Sequence, residues 1–552
     1  MKITVARLIR NKIEAWKVKD VPIFQGGAIM NVLSEISKSK KIKHYCPYHE
    51  QALAMGVDAY SRLKGFGVGL VTSGPGATNL ITGIACSYYD SIPNIYFTGQ
   101  VGQFHIVGKR KVRQRGFQES DVVSLMKPIT KFSYQIKSAY EADYILDKAY
   151  YIANSGRPGP VVIDVPFNIQ KSLIDLKNAK KFKIKKKKIN QTSKIKKILQ
   201  DLKNSKKPLI IAGGGVRISN QVKNFLNFVK KNNIPFVTTW ASQDISESKN
   251  ELYFGSVGKH AHLCASLLAT EADLILTLGV RFSPKIVCNK FAAKAKLIAV
   301  DIDSSELNEG LIKPDVSLKC SVDYFLNQSK NSKNSKKKYW LDHCREEKLK
   351  NYRNFTEIKK FNSKYVNPYL FTEKLSKLVN DNAIMLTDAG ANLTFFMQSF
   401  KTKKNQRILS AWGNSPMGYS IAAGIGAKIA KKKLQVISLI GDGSFLINLQ
   451  ELQFIKFNKT NLKIIIYDNK VFGNTKIGCE DYKIQSIGND SKGGYYPPEV
   501  ERIAKSFDIN YSYVKNNLNL DEKIKKFLKS NKSTILHLNI NKNHLLLEHL
   551  IK

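Results

Sequence analysis

The residues best suited to chemistry in this chain of 552 stand at the end of one apolar run: LQVISLIGDGSF closes on Gly441, Asp442, Gly443 and Ser444. A β-branched stretch that stops at a glycine turn reads as a strand delivering its next residues to a sheet edge. There the glycines let backbone amides approach a diphosphate closely, the Asp442 carboxylate can ligate a hard cation, and Ser444 can donate to phosphate. A second run, LKIIIYDNKVFGN, places Asn469 and Val471 after the next strand-like segment, with a helix-like stretch between. Neighbouring parallel strands joined by a crossover would bring Asp442 and Asn469 to the same edge. An octahedral Mg2+ could then take oxygens from both side chains, from a backbone carbonyl near Val471 and from two phosphates. GDG alone is an ordinary βα turn, in which Asp and Gly are common; its pairing with the second half argues for the metal and diphosphate.

Such an edge needs parallel sheets behind it. Strand-like runs alternate with helix-like stretches throughout, among them VGLVTSGPGATNL, PLIIAGGG, ADLILTLGVRF and KLIAVDID, the pattern of parallel sheets covered by helices. Two polar segments rich in lysine, Lys177 to Lys197 and Asn327 to Lys338, read as linkers. The expected fold is α/β, with three doubly wound parallel-sheet domains at residues 1–175, 190–326 and 365–552, in keeping with roughly three to four domains for a chain of this length.

Composition narrows the class. Apolar residues make up 43% of the chain, yet no run approaches the ~18 consecutive apolar residues of a membrane span. The first residues are interrupted by charge every few positions, unlike a secretory signal, so a cytoplasmic protein with no membrane partner is expected. Seven cysteines are scattered without CxxC spacing, which suggests neither a disulfide framework nor a zinc site. The formal charge of +45 invites a nucleic-acid reading. The excess is lysine spread along the whole chain with no basic stripe interleaved by aromatics, so no nucleic-acid partner is expected.

GDGS followed by an Asn after an apolar strand resembles the thiamine-diphosphate motif, and further segments narrow the likeness to the acetolactate synthase large subunit. QGGAIMNVL, YHEQALAMGVDAYSRLKG, VGLVTSGPGATNLITGIACSYYD, GFQESDVV and ANSGRPGPVVIDVP resemble that group's pyrimidine-binding domain. By this resemblance Glu50 is the glutamate that shares a proton with the cofactor's aminopyrimidine ring, Asn79 binds the cofactor, and Gln100 and Phe117 line the reaction space; Gly26, Gly27 and Ala28 could offer amides to an oxyanion. WGNSPMGYSIAAGIGA makes Met417 the wedge that bends the cofactor and Ser415 the acceptor for its amino group, while DAGANLTFF implicates Gly390, Ala391 and Asn392 at the diphosphate. PLIIAGGGVRIS, FGSVGKHAHLCAS, LGVRF and VDIDSSEL resemble the central domain that holds FAD in acetolactate synthases, implicating Arg157, Gly213, Gly214, Gly215, Gly258, His260, Arg281, Asp301 and Asp303. Relatives without flavin share that fold, so the ligand does not follow from it. In the family the glutamate of one subunit faces the metal site of its partner, which implies a homodimer or homotetramer. The activity implied is decarboxylation of a small-molecule 2-keto acid with carboligation to a second carbonyl. A simple 2-keto acid decarboxylase, or a specialised carboligase for an unusual sugar or keto acid, is the alternative.

Departures from the family pattern bear on the substrate. Phe167 stands where acetolactate synthases carry a lysine, Ser283, Pro284 and Lys285 replace an acidic pair and an arginine, and Asn474 and Gly478 replace a methionine and a tryptophan. Lysine attracts a carboxylate but lacks the bidentate fork of arginine. The insert IVGKRKVRQRGFQE adds Lys109, Arg110, Arg113 and Arg115, either a solvated basic loop or a site for an anionic substrate.

Overall fold

The computed structural model describes residues 2–184, 190–287, 290–333, 337–357 and 364–543, with side chains of 351–357 excluded. Three parallel sheets organise it. In the first, Gly67–Val71, Asn94–Gln100, Pro160–Pro166 and Phe132–Gln135 lie side by side in that order. A parallel pair, Asp20–Pro22 with Lys43–Tyr45, adjoins it through a bridge between Ile23 and Leu70. The central sheet runs Tyr253–Ser256, Phe236–Thr238, Pro208–Ala212, Leu274–Leu278, Lys296–Asp301 and Val316–Lys319. The third runs Arg407–Leu409, Ile384–Thr387, Val436–Gly441, Lys463–Asp468, Thr534–Asn539 and Asn510–Val514, every neighbour parallel.

Inner strands such as Lys463–Asp468 and Leu274–Leu278 are buried along their whole length, which is why they read as continuous apolar runs and not as alternating ones. Among the described residues no helix is long and apolar enough to cross a membrane.

The two segments expected to be linkers are partly built into the fold. Lys181 pairs with Asp143, and the helix Thr192–Asn204 begins inside the first segment; the helices Val322–Gln328 and Lys338–Glu357 flank the second. Residues 185–189 and 334–336 of these segments lie outside the described residues. Trp340, at the start of the later helix, donates its indole N–H to the carbonyl of Pro208 and so packs on the central sheet.

The first and third sheets meet through the helices Glu50–Lys64 and Tyr419–Ala430. Glycine is required at the crossing: a Cβ on Gly426 would lie 2.0 Å from the carbonyl oxygen of Gly56. A buried charge cluster seals the same junction. Arg62 bridges Asp58 at 2.7 Å and Asp90 at 2.6 Å, and Tyr419 donates its hydroxyl to Asp58. Asp90 also accepts the amides of Trp412 and Gly413, both at 2.8 Å. Because each buried charge is paired and hydrogen-bonded, the cluster avoids the penalty of an isolated one, and it anchors the segment that leads into Ser415 and Met417.

Candidate active site

The carboxyl ends of three adjacent strands, Ile384–Thr387, Val436–Gly441 and Lys463–Asp468, carry the residues singled out for a metal and a diphosphate. Gly441 is in register with Tyr467, so the following Asp442 and Asp468 emerge together at the sheet edge. Ligands of open α/β sheets bind at such an edge. The first strand continues into Gly390, whose φ of 118° suits glycine, and the helix Ala391–Ser399. The loops close on one another. Asn392 reaches the carbonyls of Asp388 and Leu439 and sits beside Gly441, while Asn469 and Ala391 approach Gly473. Gly443 has no room for a side chain, since a Cβ there would lie 2.3 Å from the ring of Phe472.

Asp442 is 3% exposed, and burial, with Asp468 as the next cause, pushes its carboxyl well above the usual carboxylate range. Asp468 is itself engaged by His537 at 2.8 Å and by the Lys470 amide at 3.1 Å, so Asp442 is the carboxylate whose charge a cation would complement, inverting that shift. Among the described residues no three His, Cys, Asp or Glu side chains converge as a metal cluster. An Asp, an Asn and a backbone carbonyl suit a hard ion that completes its shell with phosphate oxygens.

Asp388 and Tyr495 were not read as site residues from the sequence. The buried Asp388 accepts the amides of Ala389, Gly418 and Ser420 at 2.8, 3.1 and 2.9 Å, holding the start of the helix Tyr419–Ala430 immediately after Met417. Its place in DAGANL, at the end of a strand, is the signal that could have found it. Tyr495 donates its hydroxyl to Asp442 Oδ2 at 2.9 Å from 53 residues away and packs its ring on Phe472; nothing local marks it. Met417 is half-buried, and Ser415 adopts a φ of 50°.

Glu50 begins the helix Glu50–Lys64 and is 6% exposed. His49 caps that helix, its Nδ1 accepting the Gln51 amide at 3.0 Å. Asn79 donates to Glu50 Oε2 at 3.0 Å, so the structure joins these two expected site residues directly. Among the described residues no hydrogen bond or ion pair joins Glu50 to Asp442, Asn469 or Met417. Gln100 departs from expectation. It is 1% exposed; its amide nitrogen donates to Ser120 and Asp164 while its oxygen accepts from Val101, so the side chain is spent inside its own domain. The Ala28 amide is likewise directed at Thr72 Oγ1, at 3.3 Å, and not at an open oxyanion position. Phe117 is 86% exposed, and Lys109, Arg110, Arg113 and Arg115 all face solvent on a loop tied at its base by Glu119.

Between the central domain and the other two lies a cleft of about 1460 Å³, walled by Gly214, Gly215, Arg157, Arg281, Asp301 and Ser415 among others. Arg157 is held by Asp303 at 3.1 Å and Glu306 at 2.6 Å. Burial pushes the Asp301 carboxyl up to about 6. Gly213 is a packing position, where a Cβ would lie 1.9 Å from the carbonyl oxygen of Gly279. Of the departures noted above, Ser283 and Lys285 line this cleft. Asn474 and Gly478 lie on the helix Gly473–Tyr482, which carries no buried residue.

Family comparison agrees with this architecture. The N-terminal TPP binding domain of thiamine pyrophosphate enzymes matches residues 3–125, the central domain 195–328 and the C-terminal TPP binding domain 388–538. The chain belongs to the thiamine pyrophosphate enzyme family, and thiamine diphosphate is its cofactor. Its relatives sharpen the likeness. A probable acetolactate synthase large subunit of Methanocaldococcus jannaschii is 32% identical over 96% of this chain and 91% of its own length. The acetolactate synthase large subunit of Lactococcus lactis is 31% identical over 94% of this chain and 90% of its own length. The chloroplastic acetolactate synthase 1 of Nicotiana tabacum is 30% identical over 94% of this chain and 78% of its own length. The chain is thus an enzyme of the acetolactate synthase type.

Proposed function

We propose that this enzyme decarboxylates a 2-keto acid and joins the remaining fragment to a second carbonyl compound, with pyruvate as the donor to test first. The observation that carries the reading is the pairing, in one chain, of a buried glutamate held by Asn79 with Asp442 and Asn469 at the ends of neighbouring parallel strands, where a metal-bound diphosphate would sit. Thiamine diphosphate, when bound, supplies the carbanion chemistry. The protein's part is to hold Mg2+ through Asp442, Asn469 and the Val471 carbonyl, to set Met417 against the cofactor through the Asp388 anchor, and to move a proton at Glu50.

The cleft walled by Arg157, Gly214, Gly215 and Asp301 is of a size and polarity to take a dinucleotide such as FAD. Among the described residues no hydrogen bond or ion pair joins Glu50 to Asp442 or Asn469, which supports a homodimer in which each glutamate serves the partner's metal site. The exposed Phe117, Tyr482 and Tyr496 are surfaces a second copy would cover.

Product analysis tests the reading: purified protein with thiamine diphosphate and Mg2+, with and without FAD, is given pyruvate. Acetolactate is the expected product. Acetaldehyde alone would replace carboligation by simple decarboxylation. Cofactor binding without pyruvate turnover would redirect the assignment to a larger or more polar substrate, the reading favoured by exposed Lys285 and by Asn474 and Gly478 on an open helix.

Tyr495 makes a further prediction. Its O–H bond to Asp442 Oδ2 orients the carboxylate that would hold the metal. Removing such a supporting bond typically weakens a metal site about 10–100-fold. Tyr495→Phe should therefore raise the dissociation constant for Mn2+, followed by its electron paramagnetic resonance signal, within that range. Unchanged affinity would show that the tyrosine only packs on Phe472.

A further inference from the structure

We propose that Glu451 is a positioning residue for Glu50, holding the start of the glutamate's helix from across the domain boundary; the inference rests on Glu50 being the proton-sharing group.

Glu451 opens the helix Glu451–Phe457 of the metal-binding domain and is fully buried. Its Oε1 accepts the backbone amide of Tyr48 at 2.9 Å, a contact spanning 403 positions of sequence. Tyr48 stands two residues before Glu50, and the intervening His49 is the helix cap. Three supports therefore converge on Glu50. Asn79 holds its carboxylate, and His49 sets the first helical turn. Glu451 ties the turn that precedes the cap to the domain bearing Asp442.

The choice of a carboxyl group here is costly unless it has this task. Among the described residues Glu451 Oε2 is buried with no hydrogen-bond partner, and leaving a buried polar atom unpaired is destabilising. Burial pushes the group up to about 8 against the opposing pull of the Tyr48 and His49 amides that face it, so it is largely neutral at neutral pH. The adjoining cavity, about 20 Å³, is walled mainly by apolar groups including Ala52, Leu53, Ala422 and Ile425, and a stable buried water needs two to four polar partners. Neither ion pairing nor packing accounts for an acid at this place; accepting the Tyr48 amide does.

The test compares Glu451→Gln, which keeps an acceptor oxygen, with Glu451→Met, which fills the space without one. Readouts are kcat, KM, thiamine diphosphate affinity and, on cofactor-free protein, hydrogen exchange of the Tyr48–Gln51 amides. Displacing a catalytic group by about 1 Å can cost about 100-fold. The Met variant should accordingly lose at least tenfold in kcat, with KM and cofactor affinity within about threefold of wild type and exchange of the Tyr48 segment at least tenfold faster. The Gln variant should restore all of these to within about threefold. Wild-type kcat and exchange in the Met variant would overturn the proposal, as would a parallel loss of kcat, cofactor affinity and melting temperature that Gln does not rescue. Should Met fail to fold, Glu451→Asp, whose carboxyl is one methylene short, takes its place with the same expectations. Glu50→Gln is run alongside: an active Glu50→Gln enzyme would overturn the functional reading, while the exchange result would still report whether Glu451 anchors the turn.

Discussion

Glu50→Gln should fold, bind thiamine diphosphate and Mg2+ within a few-fold of wild type, and lose about 10²–10⁴-fold in kcat, the usual worth of a positioned acid–base group. The loss falls on kcat because Gln is isosteric with Glu and can still meet the Asn79 amide after its own amide turns, so the surroundings of the half-site survive. It cannot share a proton with the cofactor ring. The measurement pairs steady-state turnover with cofactor titration by intrinsic fluorescence. A variant within tenfold of wild-type kcat would mean that Glu50 orients the cofactor without exchanging a proton with it. Asn79→Ala, by contrast, should cost less, since it removes a partner of the carboxylate but leaves the carboxylate itself.

Replacing Asp442 should act on binding and on stability in opposite directions. As the only acidic side chain in the expected ligand set, its loss in Asp442→Asn should weaken retention of Mg2+ together with thiamine diphosphate by more than about 100-fold, beyond the range for a merely supporting residue. Without metal the same carboxylate is a burden. Burial and the neighbouring Asp468 push Asp442 up to about 7, above the ~3.9 of an unfolded Asp. A carboxyl group raised in this way holds its proton more tightly in the folded state. Its charge therefore costs nothing below the unfolded value, and the cost grows as pH rises to about 7. Metal-free wild-type protein should lose melting temperature across that window, while metal-free Asp442→Asn should lose less and be the more stable of the two at pH 7.5. Thermal melts across pH with a chelator, and then with saturating Mg2+, measure both effects. A metal-free variant no more stable than wild type at pH 7.5 would show that Tyr495 already satisfies the carboxylate.

What could be read without the structure was local. Asp442 and Asn469 were legible because a strand–helix–strand unit brings the ends of neighbouring parallel strands together whatever surrounds it, and Val436–Gly441 does pair with Lys463–Asp468. Glu50 was singled out by the resemblance of its HEQA context, and the glycines after the strand Pro208–Ala212 by the resemblance of their segment to a flavin-holding domain. Gln100 shows the limit of such reading. Its segment was identified, but residues two apart on a strand face the same way, and Gln100 turns with Thr98 toward Asp164, which accepts from both.

The residues that hold the reacting groups in place were not legible. Asp388 acts on the backbone of Gly418 and Ser420, Tyr495 reaches Asp442 from a loop far along the chain, and Glu451 grips the Tyr48 amide from another domain. A backbone amide has no sequence signature, and a contact across hundreds of residues leaves no periodic trace. The sequence by itself determined the α/β class with parallel sheets and, through its resemblance to the acetolactate synthases, the cofactor, because alternating apolar runs and short motifs are local features. Tertiary packing alone decided which polar side chains face the site, which are consumed inside the core, and how Glu50 is tied to the metal-binding domain, because each of those depends on a partner that only the folded chain brings near.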